Sequence, residues 1–310
     1  MRGNAYQGKG DQDRAIADIT KAIALDPKSG GAYVNRAQIH AIKGEYDQAV
    51  ADATKAVEID PTLAIAYVSR ANIHVRRGDF ERAIADAAKA IEIDPNNARA
   101  YDNRGYAYWR RREDDLAIAD ATNAIAIDSK LINVYGYRAA AYERRGDYVL
   151  ALADYDTLVA TDPSNPRHAS AAALLRFVMG DFGAASAGLG SKADVYGILF
   201  RYLARARGGD AVDSAATELA NKARRVGLSF RVWPYAFIEL YLGQRSPDEM
   251  LKAAVRTTDR CLAHFYVGEW HLLRKELADA TSNLKAAAEL CSTDVIEYRA
   301  AVAELARLKP

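Results

Sequence analysis

The sequence has 310 residues, of which 50% are hydrophobic and 27% are charged, a composition typical of a chain that buries a substantial core. Its 42 basic and 41 acidic residues give a net charge of +1, which argues against a nucleic-acid-binding protein. No window reaches the roughly 18 uninterrupted apolar residues of a membrane span, and the first residues lack the apolar stretch of a signal peptide. We therefore expect no nucleic-acid partner and no direct membrane span.

A period of 34 residues runs through the first half of the chain. Alanines, glycines and Asp-Pro pairs follow it independently. The alanines are Ala15, Ala49, Ala83, Ala117, Ala151 and Ala185, the glycines are Gly10, Gly44, Gly78, Gly146 and Gly180, and the Asp-Pro pairs begin at Asp26, Asp60, Asp94 and Asp162. Because three patterns agree, the period indicates a structural repeat.

Each period predicts two amphipathic helices joined by a short turn. Around Gly78 and Asp79, small and apolar residues recur three and four positions apart on both sides. Glycine can end the first helix in the left-handed conformation, and aspartate can cap the start of the second. Proline then stops the pattern before the next period. Stacked helical hairpins of this kind predict an all-α solenoid.

These motifs resemble the tetratricopeptide repeat (TPR). The pattern stands in full in one period, as Tyr67, Arg70-Ala71, His74, Gly78-Asp79-Phe80, Ala83-Ile84-Ala85-Asp86 and Asp94-Pro95. The resemblance implies a right-handed TPR superhelix, an α-solenoid. It predicts five regular units in residues 1–163, the first lacking the front of its first helix at residues 2–6. Upstream residues removed from the chain, or a partner covering that end, would account for the missing front.

The second half is predicted to be helical but less regular. Degenerate helical repeats are expected in residues 164–256, and a TPR-like hairpin with a closing helix in 257–310. The apolar stripes predict helices over 195–206, 211–226, 232–242, 247–255, 262–273, 277–290 and 295–308. Ser246, Pro247 and Glu249 form a helix start with a capping box.

Residues 230–310 are similar to NlpI-like bacterial TPR proteins. The similarity rests on Trp233-Pro234, Leu242-Gly243-Gln244, the run from Cys261 to Trp270, and Glu297-Tyr298. It implies a non-catalytic adaptor of the cell envelope that forms homo-oligomers. No signal peptide or lipid-attachment cysteine stands near Met1, so the location stays open between the periplasm or envelope, which we favour slightly, and the cytoplasm.

One face of the first helices carries the candidate binding surface. In a solenoid these helices line a concave groove, in which aromatic side chains anchor a partner peptide and amides bond its backbone. In the fourth unit, residues three and four apart form a stripe that we expect to be exposed: Arg99, Asp102, Asn103, Tyr106, Trp109 and Arg110. Neighbouring units add Asn35, Gln38, Val68, Asn72, Arg76, Asn133, Tyr137, Glu143 and Arg144.

Three arginines of this surface, Arg76, Arg110 and Arg144, are spaced by the repeat and would be able to pair with acidic side chains or a C-terminal carboxylate of a partner. The alternative interpretation of the whole surface is ordinary solvated or packing residues.

Two further sets are expected to be structural, because buried charges need partners. They are the arginines Arg36, Arg70, Arg104 and Arg138 and the aspartates Asp18, Asp52, Asp86, Asp120 and Asp154. His40 and His74 are expected to be packing residues.

The two cysteines suggest a disulfide. Cys261 begins one predicted helix and Cys291 ends its antiparallel partner, so both fall at the same end of a hairpin, where a Cα separation within ~7 Å is geometrically accessible. A disulfide would imply an oxidising compartment such as a periplasm. The alternative is a pair of buried, reduced thiols in a cytosolic protein.

No catalytic or metal constellation stands out. Cys261, His264 and His271 share a predicted helix, but two turns separate the histidines by about 10 Å, too far to share one ion. Neither a GxSxG nor an HExxH motif occurs. We therefore predict a non-catalytic scaffold that binds a protein or peptide partner in the concave groove, with no metal and no cofactor.

Two alternatives stay open. The first is a self-associating structural module of the bacterial envelope, in which the N-terminal end pairs with a second copy. Light scattering at two concentrations tests it, and removal of residues 1–27 should abolish such dimers. The second is an enzyme of unrecognised type, which would need a pocket with clustered, perturbed titratable groups.

Overall fold

The computed structural model describes residues 11–189, 195–209, 212–226 and 235–309. Within these ranges the secondary structure consists of 18 α-helices without a strand, which confirms the predicted all-α class. The helices are α1 Gln12–Leu25, α2 Gly30–Lys43, α3 Tyr46–Ile59, α4 Ala64–Arg77, α5 Phe80–Ile93, α6 Ala98–Arg110, α7 Asp114–Ile127, α8 Ile132–Arg145, α9 Tyr148–Thr161, α10 Pro166–Met179, α11 Phe182–Gly188, α12 Val195–Arg207, α13 Val212–Val226, α14 Tyr235–Tyr241, α15 Pro247–Ala253, α16 Thr257–Leu273, α17 Leu277–Leu290 and α18 Ile296–Arg307.

The chain divides into two compact units, unit 1 (Met1–Gly146) and unit 2 (Asp147–Pro310). The sequence-based boundaries near residues 163 and 256 stay predictions. The front of the first repeat at residues 2–6, Gly10 and the Trp233-Pro234 pair lie outside the described residues.

Unit 1 is a series of helical hairpins built on the predicted turn. Helices α2 and α3, α4 and α5, and α6 and α7 pack as pairs. Gly44 and Gly78 end the first helices of the first two pairs with φ of 80° and 83°, the left-handed conformation in which glycine has no Cβ penalty. Asp79 then caps α5, because its side chain accepts a hydrogen bond from the backbone N–H of Arg82.

The turn between α6 and α7 keeps this geometry without a glycine. Arg112 stands at the position where the glycine series is interrupted, and its φ is 63°. A residue with a Cβ in this region costs roughly 1–2 kcal/mol. The packing of α6 on α7 therefore imposes the turn against the local preference of the residue.

Paired charges tie the two helices of each hairpin together, as predicted. Arg36 bonds Asp52, Arg70 bonds Asp86 and Arg104 bonds Asp120, each at 2.7 Å, and all three carboxylates are buried. The three guanidinium groups also lie over the rings of Tyr33, Tyr67 and Tyr101, at 5.6, 5.7 and 5.7 Å. Bidentate, charge-assisted bonds of this kind make the buried charges structural.

The first helices of consecutive hairpins also pack beside one another. Helix α4 contacts both α2 and α6, and α6 contacts α8. On the side opposite the second helices, the side chains of the first helices therefore form one continuous surface. This surface carries the candidate site.

Unit 2 has a larger and more aromatic core. Phe177, Phe200, Phe237, Phe265 and Tyr266 are fully buried in it. Helices α16 and α17 form the predicted C-terminal hairpin, and α18 closes it. Helix α18 also packs on α10, so the end of the chain returns to the start of the unit. The predicted capping box at α15 is present: the Ser246 hydroxyl accepts from the backbone N–H of Glu249, and the Glu249 carboxylate accepts from the backbone N–H of Ser246.

A buried charge cluster lies inside unit 2. Arg207 of α12 bonds Glu269 of α16 at 3.0 Å and Glu304 of α18 at 2.9 Å, and Arg307 bonds Glu304 at 2.6 Å. Arg207 also lies 4.8 Å above the ring of Phe182. The cluster joins helices that are distant in sequence, and no repeat pattern in the sequence indicates it.

Cys261 and Cys291 are joined as a disulfide in the structure, with their Cα atoms 4.9 Å apart. The bond links Cys261, the fifth residue of α16, to Cys291, the residue that ends α17.

Candidate functional site: a groove on the first helices of unit 1

Two neighbouring cavities open on the surface of the first helices. We call them the isoleucine cavity, of about 380 Å³, and the aromatic cavity, of about 390 Å³. The isoleucine cavity is lined by Gln38, Ala41, Ile42, Ile65, Val68, Ser69, Asn72, Ile73, Arg76, Arg99, Asp102, Asn103 and Leu131. The aromatic cavity is lined by Asn72, Val75, Asp102, Asn103, Tyr106, Trp109, Asn133, Gly136 and Tyr137. Because Asn72, Asp102 and Asn103 line both, the two cavities form one groove.

Three aromatic rings form a wall of the aromatic cavity. The Tyr106 ring centroid lies 5.4 Å from that of Trp109 and 5.9 Å from that of Tyr137, and the Trp109 and Tyr137 centroids are 6.4 Å apart. Tyr106 and Tyr137 meet edge to face, an arrangement that aromatic quadrupoles favour. The indole N–H of Trp109 is buried without a hydrogen-bond partner.

The position of this wall depends on Gly105. A Cβ atom there would lie 2.9 Å from the hydroxyl oxygen of Tyr137 and 3.1 Å from the Cβ of Asp120. The other first helices of unit 1 carry alanine at this repeat position, Ala37, Ala71 and Ala139, and smaller polar residues in place of Tyr137. Glycine is therefore the residue that lets the Tyr137 ring reach across α6.

Asp102 is a half-buried carboxyl group in the floor shared by both cavities. Burial raises its pKa to about 6, and this effect is opposed by contact with the Tyr137 hydroxyl and by the charge of Arg99. The Tyr137 hydroxyl is buried and has no hydrogen-bond partner, so its contact with Asp102 falls short of a well-formed hydrogen bond. Burial also raises the pKa of Tyr137, which stays neutral. Asp102 is thus charged at neutral pH without an ion-pair partner among the described residues.

Asp102→Asn is expected to raise the free energy of unfolding by about 3 kcal/mol at a pH of about 8. The folded-state pKa of Asp102 lies above its unfolded value, so the stability that this group contributes is present at low pH and is lost as the pH rises through about 6. The neutral amide escapes that loss. Urea denaturation at several pH values measures the difference between the two proteins.

The matched control is Asp47→Asn. Asp47 lies on α3, outside both cavities, and forms an exposed surface pair with Arg77 of α4. Its unfolding free energy is expected to stay within about 0.5 kcal/mol of the wild type. If Asp102→Asn is no more stable than the wild type above pH 6, the burial of the carboxylate is without energetic consequence.

Most of the predicted groove residues line these cavities. The isoleucine cavity receives Gln38, Val68, Asn72, Arg76, Arg99, Asp102 and Asn103, and the aromatic cavity adds Tyr106, Trp109, Asn133 and Tyr137. Asn35, Arg110, Glu143 and Arg144 line neither cavity. Of these four, Arg110 packs over the Phe80 ring at 4.8 Å.

The expectation of a row of available cations is wrong for Arg144. Its Nε lies 2.9 Å from both carboxylate oxygens of Asp114, and its Nη2 donates to the backbone carbonyl of Trp109 at 3.2 Å. The guanidinium also lies 5.5 Å from the Trp109 ring centroid. Arg144 therefore supports the aromatic wall from behind, whereas Arg76 lines the isoleucine cavity.

The expectation that the whole stripe is exposed is also wrong. Within the stripe, Asn103 is buried, and Asp102, Tyr106 and Trp109 are half-buried. Val68 and Tyr137, which neighbouring units add to the groove, are also buried. The Nδ2 of Asn103 donates to the backbone carbonyl of Val68 at 3.1 Å, which binds α6 to α4. Close packing of neighbouring first helices covers these side chains, so they form the floor and wall of the groove.

Sequence reasoning missed the apolar part of the groove. Ile42 is 48% exposed and Ile65 is 38% exposed, and both line the isoleucine cavity together with Leu131. They belong to the apolar pattern that usually indicates core. Ile42 and Ile65 lie on the groove side of α2 and α4, and their positions within the repeat would have indicated that they belong to the groove.

One group of potential metal ligands lies in unit 2, at His271, Glu276 and Asp279. The His271 Nδ1 lies 2.6 Å from Glu276, and His40 and Glu45 of unit 1 make the same contact at the same spacing and distance. The recurrence indicates a contact that closes the helical hairpin. His264, considered above as a ligand, instead contacts Asn283 at 2.9 Å.

No helix within the described ranges combines the length and the apolar character that crossing a bilayer requires.

Helical hairpins with left-handed turns, stacked so that their first helices form one grooved surface, define a repeat protein of the α-solenoid class. Family models described as "TPR repeat" and "Tetratricopeptide repeat" match residues 71–111 and 1–64. The chain therefore contains tetratricopeptide repeats within its first half. Repeats of this family bind protein or peptide partners and form a generally non-catalytic fold, so the chain is a protein–protein interaction scaffold.

Solved structures with the same fold include PilF of Pseudomonas aeruginosa, which is 20% identical with a TM-score of 0.56 and covers 60% of this chain and 85% of its own. A tetratricopeptide-repeat protein from Parabacteroides merdae is 18% identical with a TM-score of 0.50 and covers 78% of this chain and 95% of its own. No curated protein matches the sequence. The NlpI-like similarity of residues 230–310 stays a prediction.

Proposed function

We propose that the groove of unit 1 holds an extended segment of a partner protein. The observation that carries this proposal is the continuity of two cavities, of about 380 and 390 Å³, across the shared residues Asn72, Asp102 and Asn103. One cavity offers exposed isoleucines and the other an aromatic wall, which are the side chains that anchor bound peptides.

The groove also supplies hydrogen-bonding groups for a peptide backbone. Asn72 is exposed between the cavities, and its Nδ2 donates to Asn103 at 3.3 Å while its Oδ1 accepts from Arg76 at 3.1 Å. Asn133 is exposed on the facing helix α8. Amide side chains that donate and accept suit an extended segment, whose own N–H and C=O groups are unpaired.

Site-specific photocrosslinking tests this proposal. A benzophenone side chain is placed at Ile42 in one variant and at Leu116 of α7 in the other, because both residues are 48% exposed but only Ile42 lines the groove. We expect crosslinks to a partner protein from position 42 and a clear deficit from position 116. Equal adducts from the two positions would show that the groove is not the binding surface.

A further inference from the structure

The aromatic cavity carries a single formal charge. Of its described lining residues, Asp102 alone is ionised at neutral pH, and the others are amides, Val75, Gly136 and aromatic residues. The geometry points to this cavity as the receptor for a basic side chain, lysine or arginine, of the bound segment. The inference rests on the proposed function, because it specifies one residue of the segment that the groove holds.

The aromatic wall suits a cation. Lysine and arginine are attracted to the faces of tryptophan and tyrosine rings within about 6 Å of the centroid. The protein's own arginines already use these rings: Arg110 lies 5.9 Å from the Tyr106 centroid and Arg144 lies 5.5 Å from the Trp109 centroid. Guanidinium groups thus pack readily on this wall.

In the part of the chain that the structure describes, no counter-charge lies within bonding distance of the Asp102 carboxylate. The ionisable groups in the surrounding walls are Arg99 on α6 itself, Arg76 on α4 and Tyr137 on α8. Arg110 and Arg144 pack on the rings of Tyr106 and Trp109, Arg144 being paired with Asp114, and Asp120 of α7 is held by Arg104. Burial raises the pKa of Asp102 to about 6, so its charged form is less favourable in the free protein than it would be in water. A cation from the partner would offset that cost and form a charge-assisted bond.

The isoleucine cavity has the opposite character and sets the register. Arg76 and Arg99 line it together with Ile42 and Ile65, and these two cations outnumber the shared Asp102, so a basic side chain is disfavoured there. The cavities meet at Asp102 and its neighbours, and an extended segment therefore places an apolar side chain against the isoleucines and a basic one against the aromatic wall.

Peptide selection tests the inference directly. A phage library of random peptides of about nine residues is selected on the full-length wild type, Asp102→Asn, Ile42→Glu and the control Asp47→Asn. We expect the wild type and Asp47→Asn to enrich peptides with lysine or arginine at one fixed position next to an apolar residue. Asp102→Asn should still enrich apolar peptides, without the basic position.

The affinity of one selected peptide, free of histidine, is then measured by fluorescence anisotropy against pH. Binding to the wild type should weaken about tenfold between about pH 7.5 and pH 5, because Asp102 must be ionised to pair with the cation. Asp102→Asn should bind more weakly at the higher pH, and its affinity should be flat across this interval.

The outcomes separate the two proposals. If the wild type selects peptides that Ile42→Glu no longer binds, but no basic position emerges or Asp102→Asn enriches it equally, the groove stands and the cation receptor is overturned. If the wild type selects no peptide, or Ile42→Glu binds the selected peptides as well as the wild type, the groove itself is overturned.

Discussion

Arg207→Met is expected to lower the free energy of unfolding of unit 2 by about 3–5 kcal/mol. Arg207 is the cation shared by Glu269 and Glu304, which are almost fully buried. Burial raises the pKa of Glu269, the charge of Glu304 raises it further, and Arg207 opposes both. Without the guanidinium, two buried carboxylates would face each other with Arg307 as the remaining counter-charge of Glu304.

Urea denaturation followed by circular dichroism measures this loss, fitted step by step because a chain of two compact units need not unfold in one transition. The deficit should be larger at about pH 8 than at about pH 5, since a carboxyl with a raised folded-state pKa loses stability as the pH rises. Glu269→Gln in the Arg207→Met background should restore part of the loss, because it removes one of the uncompensated charges.

The control is Arg176→Met, which removes an arginine paired at 2.6 Å with the exposed Asp156. Its cost is expected to remain below about 1 kcal/mol, as for other surface pairs. A similar cost for both variants would mean that the buried cluster contributes no more than a surface ion pair.

Reduction of the Cys261–Cys291 bond is expected to lower the unfolding free energy of unit 2 by about 3–4 kcal/mol, because the bond closes a loop of about 30 residues and restricts the unfolded chain. Comparing the wild type with and without reductant separates this effect from packing, because both thiols remain in place. Cys261→Ala/Cys291→Ala should lose at least as much, since it also removes two buried sulfur atoms.

Mass spectrometry shows whether the bond is present, since the oxidised chain is lighter by about 2 Da. The matched control is Cys261→Ala/Cys291→Ala itself, whose stability should not respond to reductant. Coincident denaturation curves of the oxidised and reduced wild type would refute the predicted stabilisation.

Local sequence rules account well for the hairpins. The glycines at 44 and 78, the capping Asp79 and the Ser246 box act within a few residues of chain, so their structural roles can be read without the tertiary fold. The Arg–Asp pairs were accessible for a related reason. Repetition at a fixed spacing places each pair at the same point of every hairpin.

The sequence predicted which face of the first helices carries the groove, but it did not predict the burial and the contacts of the groove residues. Helical spacing put Tyr106, Trp109 and Tyr137 on one face, and the structure brings them together. Spacing within one helix cannot show that neighbouring first helices approach closely enough to cover Asn103, or that Arg144 turns back onto Trp109 and Asp114. Those outcomes depend on contacts between hairpins.

The sequence by itself therefore determined the repeat, its all-α class and the face that carries the groove, because each follows from periodic residues acting over a few turns of helix. Only the tertiary structure decided that Asp102 has no ion-pair partner among the described residues, and that Arg207 joins Glu269 and Glu304, which lie 62 and 97 residues away in the sequence. The physical reason is that burial and pairing of charge depend on which elements meet in space, and a periodic pattern constrains only neighbours within a repeat.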